Sequence, residues 1–121
     1  MKRYGLFQLI ALLLGASSLS AMAACGVTEK QIIGSWTRVG KQGFFEDMAF
    51  EFDGKTRSFS SWLHQRPEIM GATWTLNDCR LSIDNKEDKS LSFRFFVALN
   101  KGKLELKEDK DAVAAKYKRI Q

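Results

Sequence analysis

Residues 32–40 read IIGSWTRVG and set a Gly-x-Trp triplet, Gly34-Ser35-Trp36, at the head of the first strand the chain can form. From Ser35 onward the sequence alternates with period two. Turn residues cut it roughly every eight to twelve positions, the signature of an antiparallel meander and not of alternating strands and helices. The breaks fall at Lys41-Gln42-Gly43, Asp53-Gly54, Asn77-Asp78, the run from Asn85 to Lys89, and Lys101-Gly102. They divide the chain into eight strands, at approximately 35–40, 44–52, 55–64, 70–76, 79–84, 90–99, 103–108 and 116–120. Eight antiparallel strands can close on themselves and leave no exposed edge, so the expected fold is all-β, an eight-stranded antiparallel up-and-down barrel. Ahead of it, Thr28-Glu29-Lys30-Gln31 fits the capping box of a short helical turn.

Strand parity then sorts the side chains. In the second strand Met48, Phe50 and Phe52 share one face, opposite Ala49 and Glu51. In the sixth, Leu91, Phe93, Phe95, Val97 and Leu99 oppose Ser92, Arg94 and Phe96. Leu104 and Leu106 alternate with Lys103, Glu105 and Lys107, and Cys79, Leu81 and Ile83 share a face that should point inward. Ala112, Ala114 and Ala115 favour helix over strand, so only Lys116 to Ile120 is read as the last strand.

The first residues stand apart. Lys2 and Arg3, the apolar run from Leu6 to Leu14 and the small-residue site Ala21-Met22-Ala23 form the three parts of a secretory signal peptide, residues 1–23. The apolar run is too short to span a membrane. Cleavage after Ala23 leaves 98 of the 121 residues, a single domain, 24–121. With Lys2 and Arg3 gone, 17 basic residues face 14 acidic ones, a net charge of about +3. No basic stripe interleaved with stacking aromatics is visible along the sequence, which argues against a nucleic-acid partner. Both cysteines survive cleavage, and an even count in an exported chain points to a Cys25–Cys79 disulfide. The competing reading takes MAAC, residues 22–25, as a lipobox that would anchor Cys25 to a lipid, with Met22 where leucine is usual. The expected location is accordingly periplasmic or secreted, with an outer-membrane lipoprotein as the alternative.

Beyond its leader, the chain resembles the small lipocalin-like, calycin-type domains of bacterial envelopes. The resemblance rests on Gly34-Ser35-Trp36, then FEFDG, GATWTLNDCRLSI, FRFFVALNKGKLELKED and a final YKRI, in that order and at hairpin spacing. It implies that Trp36 packs at the closed end of a barrel beneath a basic side chain from the last strand, here Arg119, where a guanidinium can stack on the indole and donate to nearby carbonyls. Tyr117 shares the strand parity of Arg119 and should also point inward. The chain is much shorter than a full-length lipocalin.

The inventory for catalysis is poor. His64 is the only histidine; Ser60 and Ser61 lie near it in sequence without a third partner, and neighbouring strand residues face opposite ways. Glu46 and Asp47 point to opposite sides of a strand for the same reason. His64 and Glu68 fall short of the ligands a closed metal site needs. The expectation is a non-enzymatic protein without cofactor or metal. Two kinds of partner fit it. A small apolar molecule could occupy the interior, lined by Phe50, Phe59, Trp74, Phe93 and Phe95. Alternatively the 62–68 loop, with Trp62, His64 and Arg66 beside Pro67, could serve as a protein-interaction or inhibitor surface in the cell envelope, since aromatic and arginine side chains supply interface hot spots. A lysozyme target sits poorly with the positive charge, because most such lysozymes are basic too and like charges slow encounter. Phe96 is a second exposed contact candidate.

Overall fold

The computed structural model describes residues 25–120. The expected signal peptide, residues 1–23, lies outside them, as does the start of the lipobox. Among the described residues no helix is long and apolar enough to cross a membrane.

One helical turn, α1 (Glu29–Ile32), leads into eight strands: β1 (Gly34–Val39), β2 (Asp47–Phe52), β3 (Arg57–Leu63), β4 (Arg66–Asn77), β5 (Arg80–Asp84), β6 (Phe93–Asn100), β7 (Lys103–Lys107) and β8 (Ala115–Arg119). Each pairs antiparallel with the next, and β8 returns to β1 through Trp36↔Arg119, Thr37↔Lys118, Arg38↔Tyr117 and Val39↔Lys116. The sheet is therefore a closed up-and-down barrel, as the eight-strand division requires. Alternation along each strand buries one side-chain row inside: Trp36, Met48, Phe50, Phe59, Trp74, Leu81, Ile83, Phe95, Val97, Leu104, Leu106 and Tyr117. Each large apolar side chain removed from water contributes about 1.5–3 kcal/mol.

Cys25 is bonded to Cys79, with the two Cα atoms 5.7 Å apart. The bridge ties the segment before α1 to the turn between β4 and β5, and it uses the sulfur that lipidation of Cys25 would need. Cys79 itself lies in that turn, half-buried and with φ 62°, one residue before β5, so it marks the strand's entrance and not its first pair.

Three strand starts differ from the sequence reading by three residues or more, and the last strand opens at Ala115 and not at 116. The second strand starts at Asp47 and not at 44, because residues 40–46 form a loop whose Phe45 turns inward instead of following strand parity. The fourth starts at Arg66 and not at 70. Residues 62–68 are thus no open connection: Trp62 pairs with Pro67 and Leu63 with Arg66 across the two-residue turn His64-Gln65. Both turn residues have positive φ, 53° and 66°, without the Gly, Asn or Asp that such a turn usually announces. The sixth starts at Phe93, since Lys89–Leu91 forms a 3-10 turn capped by the Asp88 carboxylate, which accepts from the Ser90 N–H. Phe52 keeps the parity of Phe50 yet lies half out of the barrel end, covered on one side by the Arg57 guanidinium 4.5 Å from its ring.

Phe45 is 0% exposed and its neighbour Phe44 is 47% exposed. Phe45→Ala is expected to cost about 3–5 kcal/mol and Phe44→Ala less than about 1 kcal/mol in urea unfolding; equal losses would refute the inward loop. Replacing both cysteines by serine should cost roughly 4 kcal/mol for a loop closed over 54 positions, measured the same way.

Candidate functional site

The two ends of the barrel are built differently. At one end α1 stops beneath β1, and its last carbonyls need donors, as at every helix C-terminus. Three consecutive carbonyls receive them. Arg119 donates from Nη2 to Gln31 O at 2.7 Å and from Nη1 to Ile33 O at 2.9 Å, while Trp36 Nε1 donates to Ile32 O at 2.8 Å. The Arg119 guanidinium carbon also lies 4.3 Å from the centroid of the Trp36 ring. Gly34 explains the first letter of the triplet. Its φ is 133°, and a β-carbon there would run into Arg119 Nη1. The Gly-x-Trp is thus the seat of the last strand's arginine, and this end is closed.

The loops 40–46, 64–65, 85–92 and 108–114 gather at the other end, the mouth. Phe45 enters the barrel from here. Its ring lies 5.1 Å from Phe59, 4.9 Å from Phe93 and 6.2 Å from Phe95, between ring centroids. Phe50 in turn meets Phe59 at 5.1 Å and Trp74 at 5.6 Å, and Phe93 stacks on Phe95 at 5.8 Å. The five residues expected to line a cavity are therefore brought together, but with Phe45 among them and against one another. The loop is fastened by its backbone: Tyr117 Oη donates to Phe45 O at 2.9 Å, and Arg38 Nη1 donates to Gly43 O at 2.9 Å and to Phe45 O at 3.4 Å. Gly43, with φ 114°, lets Ala115 Cβ and the Tyr117 hydroxyl approach where a side chain would stand.

Trp62, His64 and Arg66 occupy the β3–β4 hairpin on the same rim. Trp62 is half-buried on the outer face, opposite Asp47, and Arg66 is exposed. The His64 side chain is 82% exposed, its Nδ1 3.7 Å from Glu46 Oε1, and its backbone N–H donates to the same oxygen at 2.7 Å. Leu63, His64, Arg66, Pro67 and Glu68 line an open depression of about 590 Å³. Ser61, fully buried, donates to Glu68 Oε1 at 3.1 Å, so hydroxyl and imidazole face different carboxylates and are not brought together. Among the described residues, no group of three His, Cys, Asp or Glu side chains stands together for a metal ion.

One feature was invisible along the chain. The outward rows of β5 to β8 carry Arg80, Arg94, Lys103, Lys107, Lys116 and Lys118, which are scattered in sequence and together on one wall in space. Only the strand order, β5-β6-β7-β8, could have revealed it.

Strand count, closure and the helical turn define an eight-stranded up-and-down β-barrel, an arrangement consistent with a lipocalin-like fold. Compared with known proteins, the chain matches no family model, no curated protein and no solved structure.

Burial raises the Tyr117 hydroxyl to a pKa of about 12, against the smaller opposing effects of the Arg38 charge and the hydrogen bond to the Phe45 carbonyl. An unfolded tyrosine ionises near 10 and therefore loses its proton first. The stabilisation is complete below pH 10 and falls as pH rises from 10 through about 12. In a chain lacking residues 1–23, Tyr117 is the only tyrosine. Its phenolate absorbance should appear near pH 12 while the protein stays folded, and Tyr117→Phe should flatten the stability loss across that window. Ionisation near pH 10 in the folded protein would contradict the burial.

Proposed function

We propose that this protein is an exported, non-enzymatic binding barrel of the calycin type from a bacterial envelope, and that it engages a protein partner through the β3–β4 hairpin. The observation that carries the reading is the depression at that hairpin, where apolar Leu63 and Pro67 stand beside charged Arg66 and Glu68. Such a mixed lining suits a protein surface better than a fatty or sterol-like molecule. The support beneath it is firm. His64 and Gln65 hold left-handed backbone angles that cost energy, and Glu46 fixes the turn from below. The disulfide favours an oxidising compartment, in keeping with the leader read from residues 1–23.

A second reading keeps a small apolar ligand in the interior, lined by Phe50, Phe59, Trp74, Phe93 and Phe95. It is favoured by one fact: Phe45 reaches the core from a loop, so its removal would vacate space without breaking the strand ladder. On this reading the ligand takes the place of the Phe45 ring.

An apolar fluorescent probe separates the two. The hairpin reading expects no saturable uptake by the native protein, with uptake near 1:1 appearing only in Phe45→Ala. It also expects cross-linking to an envelope protein from a photoreactive group at position 66, lost in the His64→Ala background. Saturable micromolar binding by the native protein, about −8 kcal/mol, abolished when Phe95 is made charged, would overturn the hairpin reading in favour of the cavity.

A further inference from the structure

The wall formed by β5 to β8 concentrates as much net charge as the whole domain carries. Six cations, Arg80, Arg94, Lys103, Lys107, Lys116 and Lys118, face outward there against the carboxylates of Asp84 and Glu105 on the strands and of Asp109 at its edge. The excess of about +3 equals that of the entire chain beyond residue 23, so the remaining surface is neutral overall. Asp84 is already taken, accepting from Arg94 Nη2 at 2.9 Å. Among the described residues, Arg80 and the four lysines of the wall have no carboxylate within ion-pair distance. The pairing of β7 with β8 sets Glu105 opposite Lys116 and stops at Leu104 and Tyr117, leaving Lys103 and Lys118 just past its end. Like charges gathered on one face repel, and a bound polyanion would relieve that repulsion.

We propose that this wall binds an acidic polysaccharide. The geometry selects among polyanions. The cations span four of the eight strands, about half the circumference of a convex cylinder, so a flat anionic membrane meets only a strip of them while a flexible chain can cross them all. Acidic peptides are commonly gripped by free arginine forks, and both arginines of the wall are already engaged, Arg94 with Asp84 and Arg80 over the Phe96 ring. Single-stranded nucleic acid needs aromatic platforms for its bases. The exposed aromatic of this wall, Phe96, is already covered by the Arg80 guanidinium 4.5 Å from its ring. What the wall does supply is a set of lysine point charges, with a depression of about 190 Å³ lined by Arg80, Ser82, Arg94, Phe96 and Asp109 and floored by Leu81 and Phe95. Carboxylates along a sugar chain can pair with the lysines in turn, and the hydroxyls can meet Ser82 and Asp109.

The test measures binding of polygalacturonate to the native protein at low and physiological ionic strength, beside polyglutamate, oligo-thymidylate and phosphatidylglycerol vesicles at equal charge concentration. Polygalacturonate should bind tightest and weaken steeply with salt, as counterion release requires. Lys103→Glu and Lys118→Glu, made singly, should each weaken it at least about fivefold. Both positions are exposed, so the melting temperature should stay within a few degrees of the native protein's, which separates lost binding from unfolding. Lys55→Glu, the same charge change in the β2–β3 turn, should leave binding within about twofold. Absence of binding, tighter binding of any of the other three anions, or an equal loss from Lys55→Glu would each overturn the proposal.

Discussion

The arginine that closes the barrel is the contact on which the rest is hung. Arg119 stacks on Trp36 and donates to the carbonyls of residues 31 and 33, so one side chain joins the last strand, the first strand and the helical turn. A lysine could supply the charge but not the flat stacking face or the fork that reaches two carbonyls. Gly34 is the matching void. Once this end is fixed, β1 and β8 are in register, the inward rows of all eight strands point to one axis, and Tyr117 is carried to the opposite end, where it secures the Phe45 loop.

Much of this was legible because strands obey a two-residue rule. The eight elements, the inward rows around Phe50, Phe95 and Leu104, and the capping residues of α1 follow from alternation and turn chemistry, while the seat of Trp36 beneath Arg119 comes only from the resemblance to lipocalin-like domains. The Gln31 side chain does accept from the Thr28 N–H, at 2.9 Å. What escaped the rule failed for identifiable reasons. GFFEDMAFEF, residues 43–52, carries aromatic side chains from end to end, and no turn residue after Gly43 marks its first residues as a loop whose Phe45 takes the opposite sense. His64-Gln65 carries no turn residue, so along the sequence the hairpin is indistinguishable from a longer connection. The basic wall is a property of which strands are neighbours, and period two within one strand carries no information on that.

The two proposed surfaces do not compete for residues. The hairpin depression lies at the mouth, between β3 and β4, while the cationic wall runs along β5 to β8. Between them the interior acts as a rigid spacer. Phe45 and the five aromatic side chains around it leave each wall braced from behind, so a ligand on either surface meets a fixed template and loses little to reorganisation.

The seam between β1 and β8 also sets a schedule. Trp36 pairs with a residue 83 positions later, so most of the chain must exist before the first strand can find its permanent neighbour. During synthesis β1 to β7 can pair in order, yet both flanking edges stay open until β8 arrives with Arg119. Ribosome stalling or premature termination shortly before that residue would release an unclosed sheet with two sticky margins. For this barrel the hazardous moment of biogenesis is the one before Arg119 joins the sheet.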